Sequence, residues 1–159
     1  YSGGFAPVKI EEQAVGPYQL VFADHYGPYQ EVKTIQDSIY EALLAEGVET
    51  RRGFGVYYDD PKEVPADSLY SIASCILENP DSNLIKVLLR KDFRIEKMGE
   101  TPSIAVAFPF KNMFSVMIAV KRIYPKMEAY RKRHGLAKKP YMEIYDQDSM
   151  LITMEKAKK

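Results

Sequence analysis

The sequence predicts an α+β domain made from two copies of a strand, helix and strand unit, with an antiparallel sheet and both main helices on one face. Three observations carry this. Short segments rich in Val, Ile, Phe and Tyr, bounded by Gly, Pro and Asp, alternate with two runs of helical periodicity. The order strand pair, helix, strand pair occurs twice. The string Val56-Tyr57-Tyr58-Asp59 is echoed by Glu143-Ile144-Tyr145-Asp146 at the corresponding place of the second half.

In chain order, residues 8–13 and 18–23 suit strands, and Gly16-Pro17 between them reads as the turn of an opening hairpin. Val32, Ile35, Ile39 and Leu43 recur at helical spacing, so a first helix is expected over 29–46, stopped by Gly47. Residues 54–58 and 69–77 form a strand pair around Asp59-Asp60-Pro61, a turn in which Asp side chains bond the backbone. Ser82 or Asn83 is placed to cap a short helix ending at Leu89.

The second half repeats the pattern. Strands at 93–98 and 103–108 flank a turn at 99–102, and a longer helix starts at Asn112 with Val116, Val120, Ile123, Met127 and Tyr130 on one stripe. Pro125 removes a backbone donor, so a kink or short break is expected there before Gly135 ends the helix. Strands at 141–146 and 150–154 close the chain. One domain therefore spans 1–159, with pseudo-repeats at 6–78 and 90–157.

Size and composition agree with one packed core. A chain of 159 residues, 46% hydrophobic and 28% charged, lies far from the composition of disorder. Its 22 basic and 22 acidic residues balance, which gives no field for nucleic acid or an anionic membrane. Apolar stretches are too short to span a bilayer. The lone Cys75 excludes an internal disulfide and points to a reducing compartment. It sits in an apolar strand and reads as a core thiol. The chain opens at Tyr1, and an N-terminal anchor or signal and a C-terminal tail are expected outside it.

Chemistry concentrates in one strand. The period of two in Tyr141-Met142-Glu143-Ile144-Tyr145 puts Met142 and Ile144 on one face and Tyr141, Glu143 and Tyr145 on the other. Packing the apolar pair under the helices leaves a carboxylate between two phenols on the open face of the sheet. Such a carboxylate attracts a cationic, planar ligand, or acts as a general base if desolvation raises its pKa; it is equally the pattern of an ordinary exposed strand.

The remaining candidates read as structural. His25 and His134 lie in different halves without ligand spacing, so no metal, haem or other cofactor is expected. Gly53-Phe54-Gly55 and Gly3-Gly4 lack the setting of a phosphate loop. The basic run Lys121, Arg122, Lys126, Arg131, Lys132 and Arg133 reads first as a solvated helix face, and second as a partner surface. Aligning the echoed strings places Val56 where Glu143 stands, so any site is asymmetric.

Several strings also resemble a known family. His25-Tyr26-Gly27-Pro28-Tyr29, Tyr57-Tyr58-Asp59-Asp60-Pro61 with Val64-Pro65, and Glu143-Ile144-Tyr145 look like the GyrI-like small-molecule-binding domains, over nearly the whole chain. Ala107-Phe108-Pro109-Phe110, the stretch 122–125, Tyr130 and the stretch 140–145 are similar to the ER-phagy-receptor branch of that family, and the opening Tyr1-Ser2-Gly3 fits it too. The resemblance implies a duplicated fold of SHS2 type and a cleft between the halves. It implies a glutamate at Glu143 that contacts cationic ligands, and that takes part in hydrolysis of cyclopropane-containing compounds in some relatives.

The leading expectation is a binding module rather than an enzyme, with Glu143 as anchor and Tyr141, Tyr145, Tyr58 and Phe54 as walls. The chain has no Trp, so the walls rest on Tyr and Phe alone. The alternatives are a hydrolase that uses Glu143, and a protein-interaction adaptor that docks through the basic helix. The branch resemblance further implies a cytosol-facing domain carried on an ER-membrane anchor.

Overall fold

The computed structural model of the protein describes residues 8–50, 52–109 and 112–159. Gly3, Gly4, Phe110, Tyr1-Ser2-Gly3 and the start of the first pseudo-repeat at residue 6 lie outside them. The fold is α+β. Eight strands run β1 (Glu11–Val15), β2 (Tyr18–Tyr26), β3 (Gly53–Tyr57), β4 (Tyr70–Leu77), β5 (Arg94–Met98), β6 (Thr101–Pro109), β7 (Tyr141–Tyr145) and β8 (Ser149–Glu155). Three α-helices intervene: α1 (Val32–Ala45), α2 (Ser82–Arg90) and α3 (Met113–Arg133). The strands form one antiparallel sheet in the order β1-β6-β8-β7-β3-β4-β2-β5.

The pairs β3–β4 and β7–β8 form as the turn residues indicate. The two other expected hairpins do not. β1 pairs with β6 and β2 pairs with β4 and β5, so each short link carries the chain from one end of the sheet to the other. The two links touch where the chain changes ends: a Cβ on Gly16 would lie 3.1 Å from the Gly99 carbonyl oxygen. Gly-Pro and Gly-Glu sequences encode a sharp corner, but a corner does not say which strand the next segment will pair with.

The helices follow their apolar stripes. α1 buries Val32, Ile39 and Leu43, and α3 buries Ala119, Ile123 and Met127. α1 and α3 end in the same way. Val48 N–H donates to Leu43 O at 2.9 Å beyond Gly47 (φ +76°), and Leu136 N–H donates to Arg131 O at 3.0 Å beyond Gly135 (φ +64°). α3 runs uninterrupted through Pro125, against the expected break. Packing on both sides of the proline outweighs one missing backbone bond, since Ile123 and Met127 lie in the same buried cluster. The cap of α2 is Asp81, whose carboxylate accepts Leu84 N–H at 2.8 Å, rather than Ser82 or Asn83.

Both faces of the sheet are buried. Ile104, Val106 and Ile152 pack under α3, while Val21, Cys75 and Leu77 pack with α1 and α2. The opposite face carries Val15, Leu20, Phe22, Phe54, Ile76, Met142 and Ile144 in a third cluster, with Tyr18 and Met98 against it. Val15 and Met98 belong to β1 and β5, the two ends of the strand order. Their meeting in one cluster follows from the curl of the sheet, which closes the helix-free face on itself. That face is therefore core, and the expected open face does not exist.

Candidate functional site

The closing of one face decides where Glu143 points. The alternation along β7 is as the sequence indicates, but Met142 and Ile144 face the helix-free core, and Tyr141, Glu143 and Tyr145 face the helices. The expected faces are thus exchanged. Between α1 and α3, where β3 pairs with β7, the two helices leave the sheet uncovered, and a cavity of about 1580 Å³ opens there. Glu143, Tyr145, Tyr141 and Gly53 line it from the sheet, Gln36 from α1 and Tyr124 from α3.

Glu143 is buried, and its carboxylate accepts hydrogen bonds from the hydroxyls of Tyr124 and Tyr145, one on each oxygen. The Tyr145 hydroxyl is 3.3 Å from that of Tyr57. Burial pushes the Glu143 pKa up, and the two phenols oppose the shift by bonding the ionised form. Burial and the nearby carboxylate push the Tyr124, Tyr145 and Tyr57 hydroxyls upward, so all three stay protonated at neutral pH. No described Lys or Arg forms an ion pair with Glu143.

Tyr141 turns to a second carboxylate. Its hydroxyl donates to Glu128 at 2.5 Å, and Glu128 also binds Arg131 through two nitrogens at 3.1 and 3.2 Å. Arg131 is only 6% exposed and donates to Leu136 O at 3.2 Å, so it belongs to the frame of the cleft. It does not join the exposed face formed by Lys121, Lys126, Lys132 and Arg133, where the sequence placed it. A helical stripe of apolar residues conceals such a charge, because an Arg buries well only when a partner like Glu128 lies one turn away.

Of the other expected wall residues, Tyr58 lines the cavity at its rim, 44% exposed, with its ring stacked on Tyr70 at 4.7 Å. Phe54 does not line it. It is fully buried on the opposite face, edge-on to Tyr18 at 5.9 Å. The alternation of β3 explains this: Phe54 pairs with Ile144, while Gly53 and Gly55 pair with Tyr145 and Glu143. Gly55 stands opposite Glu143 in the sheet, and Val56, opposite Met142, shares the face of Met142.

Sequence reasoning missed Tyr57, Tyr124 and Glu128. Tyr57 shares the period-two register of Gly53 and Gly55, and Tyr124 and Glu128 share a helix face with Val120 at four-residue spacing. Those registers were the available signal. Tyr57 folds back over Gly55, where a Cβ would lie 2.9 Å from its hydroxyl and 3.1 Å from its ring. Gly55→Ala is expected to rotate Tyr57 away from Tyr145 while changing stability by no more than about 1 kcal/mol, the worth of one hydrogen bond. A denaturation curve and a structure of the variant check both parts.

The remaining polar residues act structurally. His25 Nε2 lies 3.2 Å from Pro28 O and 3.5 Å from Glu31, and His134 stacks on Tyr130. Asp59 and Asp60 accept backbone N–H groups of Tyr70 and Lys62, as the turn reading requires. Burial raises the Cys75 thiol to about 12, which makes it inert. Among the described residues, no group of three His, Cys, Asp or Glu is arranged to hold a metal ion, and no helix is long and apolar enough to cross a membrane.

No protein-family model matches the chain. In sequence it is similar to the testis-expressed protein 264 homolog of Mus musculus, 31% identical over 104 residues that cover 62% of this chain and 34% of that protein. The chain thus spans about a third of the length of this curated relative. In structure it is similar to the EcmrR C-terminal domain, with a TM-score of 0.65 at 10% identity, covering 96% of this chain and 99% of that one. A hydrolase from Listeria innocua matches with a TM-score of 0.57 at 14% identity, over 96% and 94% of the two chains. At these identities the structural likeness shows a shared fold.

Proposed function

We propose that this domain is a binding module of the GyrI-like type, which takes a cationic small molecule into the cleft between α1 and α3 with Glu143 as its anchor. One observation carries the reading: a buried carboxylate faces an open cleft, held by tyrosine hydroxyls and paired with no described cation. A ligand cation would supply the missing countercharge, and the surrounding phenol rings would add cation–π attraction. The duplicated architecture implied by the resemblance has support in the strand order, which reads the same from either end when β1–β4 are exchanged for β5–β8.

A second reading, hydrolysis, is favoured by the raised pKa of Glu143 beside phenol donors and by the likeness to a hydrolase. The resemblance to the ER-phagy-receptor branch motivates the third, a protein-docking domain that faces the cytosol on an ER anchor. A thermal-shift screen against cationic aromatic and cyclopropane-bearing compounds separates the three. A ligand at about 100 times its Kd adds roughly 2.7 kcal/mol, or about 5–10 °C in Tm at this size. A shift without turnover supports binding, and consumption of the compound supports hydrolysis. Absence of any shift sinks the cleft reading and turns the search to protein capture, with charge reversal at Lys132 and Arg133 only, because Arg131 is part of the core.

A further inference from the structure

The hydroxyl protons around Glu143 have only one consistent arrangement while the carboxylate is ionised. A carboxylate has no hydrogen to give, so Tyr145 donates to one of its oxygens and Tyr124 to the other. A phenol carries a single proton. Tyr145 has committed its own, so Tyr57 must be the donor in the 3.3 Å contact between their hydroxyls. Two O–H groups therefore point at Glu143 and a third at Tyr145, and the lone pairs left over on these four side chains are all acceptors.

The neighbouring carboxylate adds no comparable demand. Glu128 already receives two nitrogens of Arg131, the hydroxyl of Tyr141, and Lys138 at 3.7 Å. Glu143 is the lining carboxylate that is buried, and the acceptor lone pairs on it and its three tyrosines, all of which line the cavity, are the ones a ligand would meet away from solvent. A cation without N–H groups would satisfy the charge but could donate to none of the lone pairs left over. A cation with several N–H groups satisfies both.

We infer that the cleft selects small molecules bearing a primary ammonium or guanidinium over fully alkylated cations of the same size. The inference rests on the reading of Glu143 as a cation anchor, and a matched ligand series tests the two separately. Hexylguanidinium, hexylammonium and hexyltrimethylammonium are titrated calorimetrically into the 159-residue chain at pH 8, on the alkaline side of neutral because burial raises the Glu143 pKa. The two N–H-bearing compounds are expected to bind about tenfold or more tighter than the trimethylated one. Equal affinity, or preference for the trimethylated compound, overturns the selectivity and leaves the cation anchor standing. Binding by none of the three overturns both.

Discussion

Glu143→Gln is expected to weaken binding of any cationic ligand by about a hundredfold, the equivalent of roughly 3 kcal/mol for removing one partner of a desolvated charge pair. The same substitution is expected to stabilise the free domain at neutral pH. Burial raises the folded-state pKa of Glu143 above its ordinary value. A carboxyl shifted this way contributes stability below the unfolded pKa, and that contribution is lost as pH rises through the folded value. As pH rises from the ordinary Glu value through the raised folded-state value, the wild-type domain should lose stability relative to the Gln variant, which has no proton to release at this position. Denaturant titrations of both proteins across a series of mildly acidic to mildly alkaline pH values give the sign. A variant that loses stability relative to wild type as pH rises would show that the phenol hydrogen bonds to the anion outweigh its desolvation.

The pH dependence of binding has the opposite sense. Cation binding requires the ionised carboxylate, so affinity should fall as the solution is acidified through the raised pKa, above the range in which an ordinary Glu titrates. Tyr124 and Tyr145 remain protonated throughout, because their own values are pushed well above 10.

Phe54→Ala is expected to cost about 3–5 kcal/mol in stability, since the ring is fully buried among Leu20, Phe22, Ile76, Met142 and Ile144. That loss approaches the whole stability of many domains of this size, so Phe54→Leu, at roughly 1–1.5 kcal/mol, is the companion that keeps the fold intact. Ligand affinity in Phe54→Leu should match the wild type, because the side chain lies across the sheet from the cavity. If Phe54→Leu lowered affinity as strongly as Glu143→Gln, the two faces of β3 would be wrongly assigned.

This pair of residues marks the limit of what local pattern conveys. The class of the fold, the positions of the eight strands and three helices, and the alternation that sets Glu143 apart from Met142 were legible in the sequence, because they depend on the period of each element and the residues at its ends. The stops at Gly47 and Gly135 and the Asp59-Asp60-Pro61 turn belong to the same class, since each is set within a few residues.

Pairing and facing were not legible. Gly16-Pro17 and the turn after Met98 look like hairpin corners, yet β1 and β5 leave for opposite ends of the sheet, because each pairs with a strand far away in the chain, β1 with β6 and β5 with β2. The closure of the helix-free face then turned Met142 and Ile144 inward and sent Glu143 to the helical side. Tyr124 joined the site from a helix 19 residues away and Tyr57 from a strand in the other half, 88 residues from Tyr145. A period of two states which residues share a face. Which face is open to a ligand depends on how the whole sheet curls, and only the tertiary structure decides that.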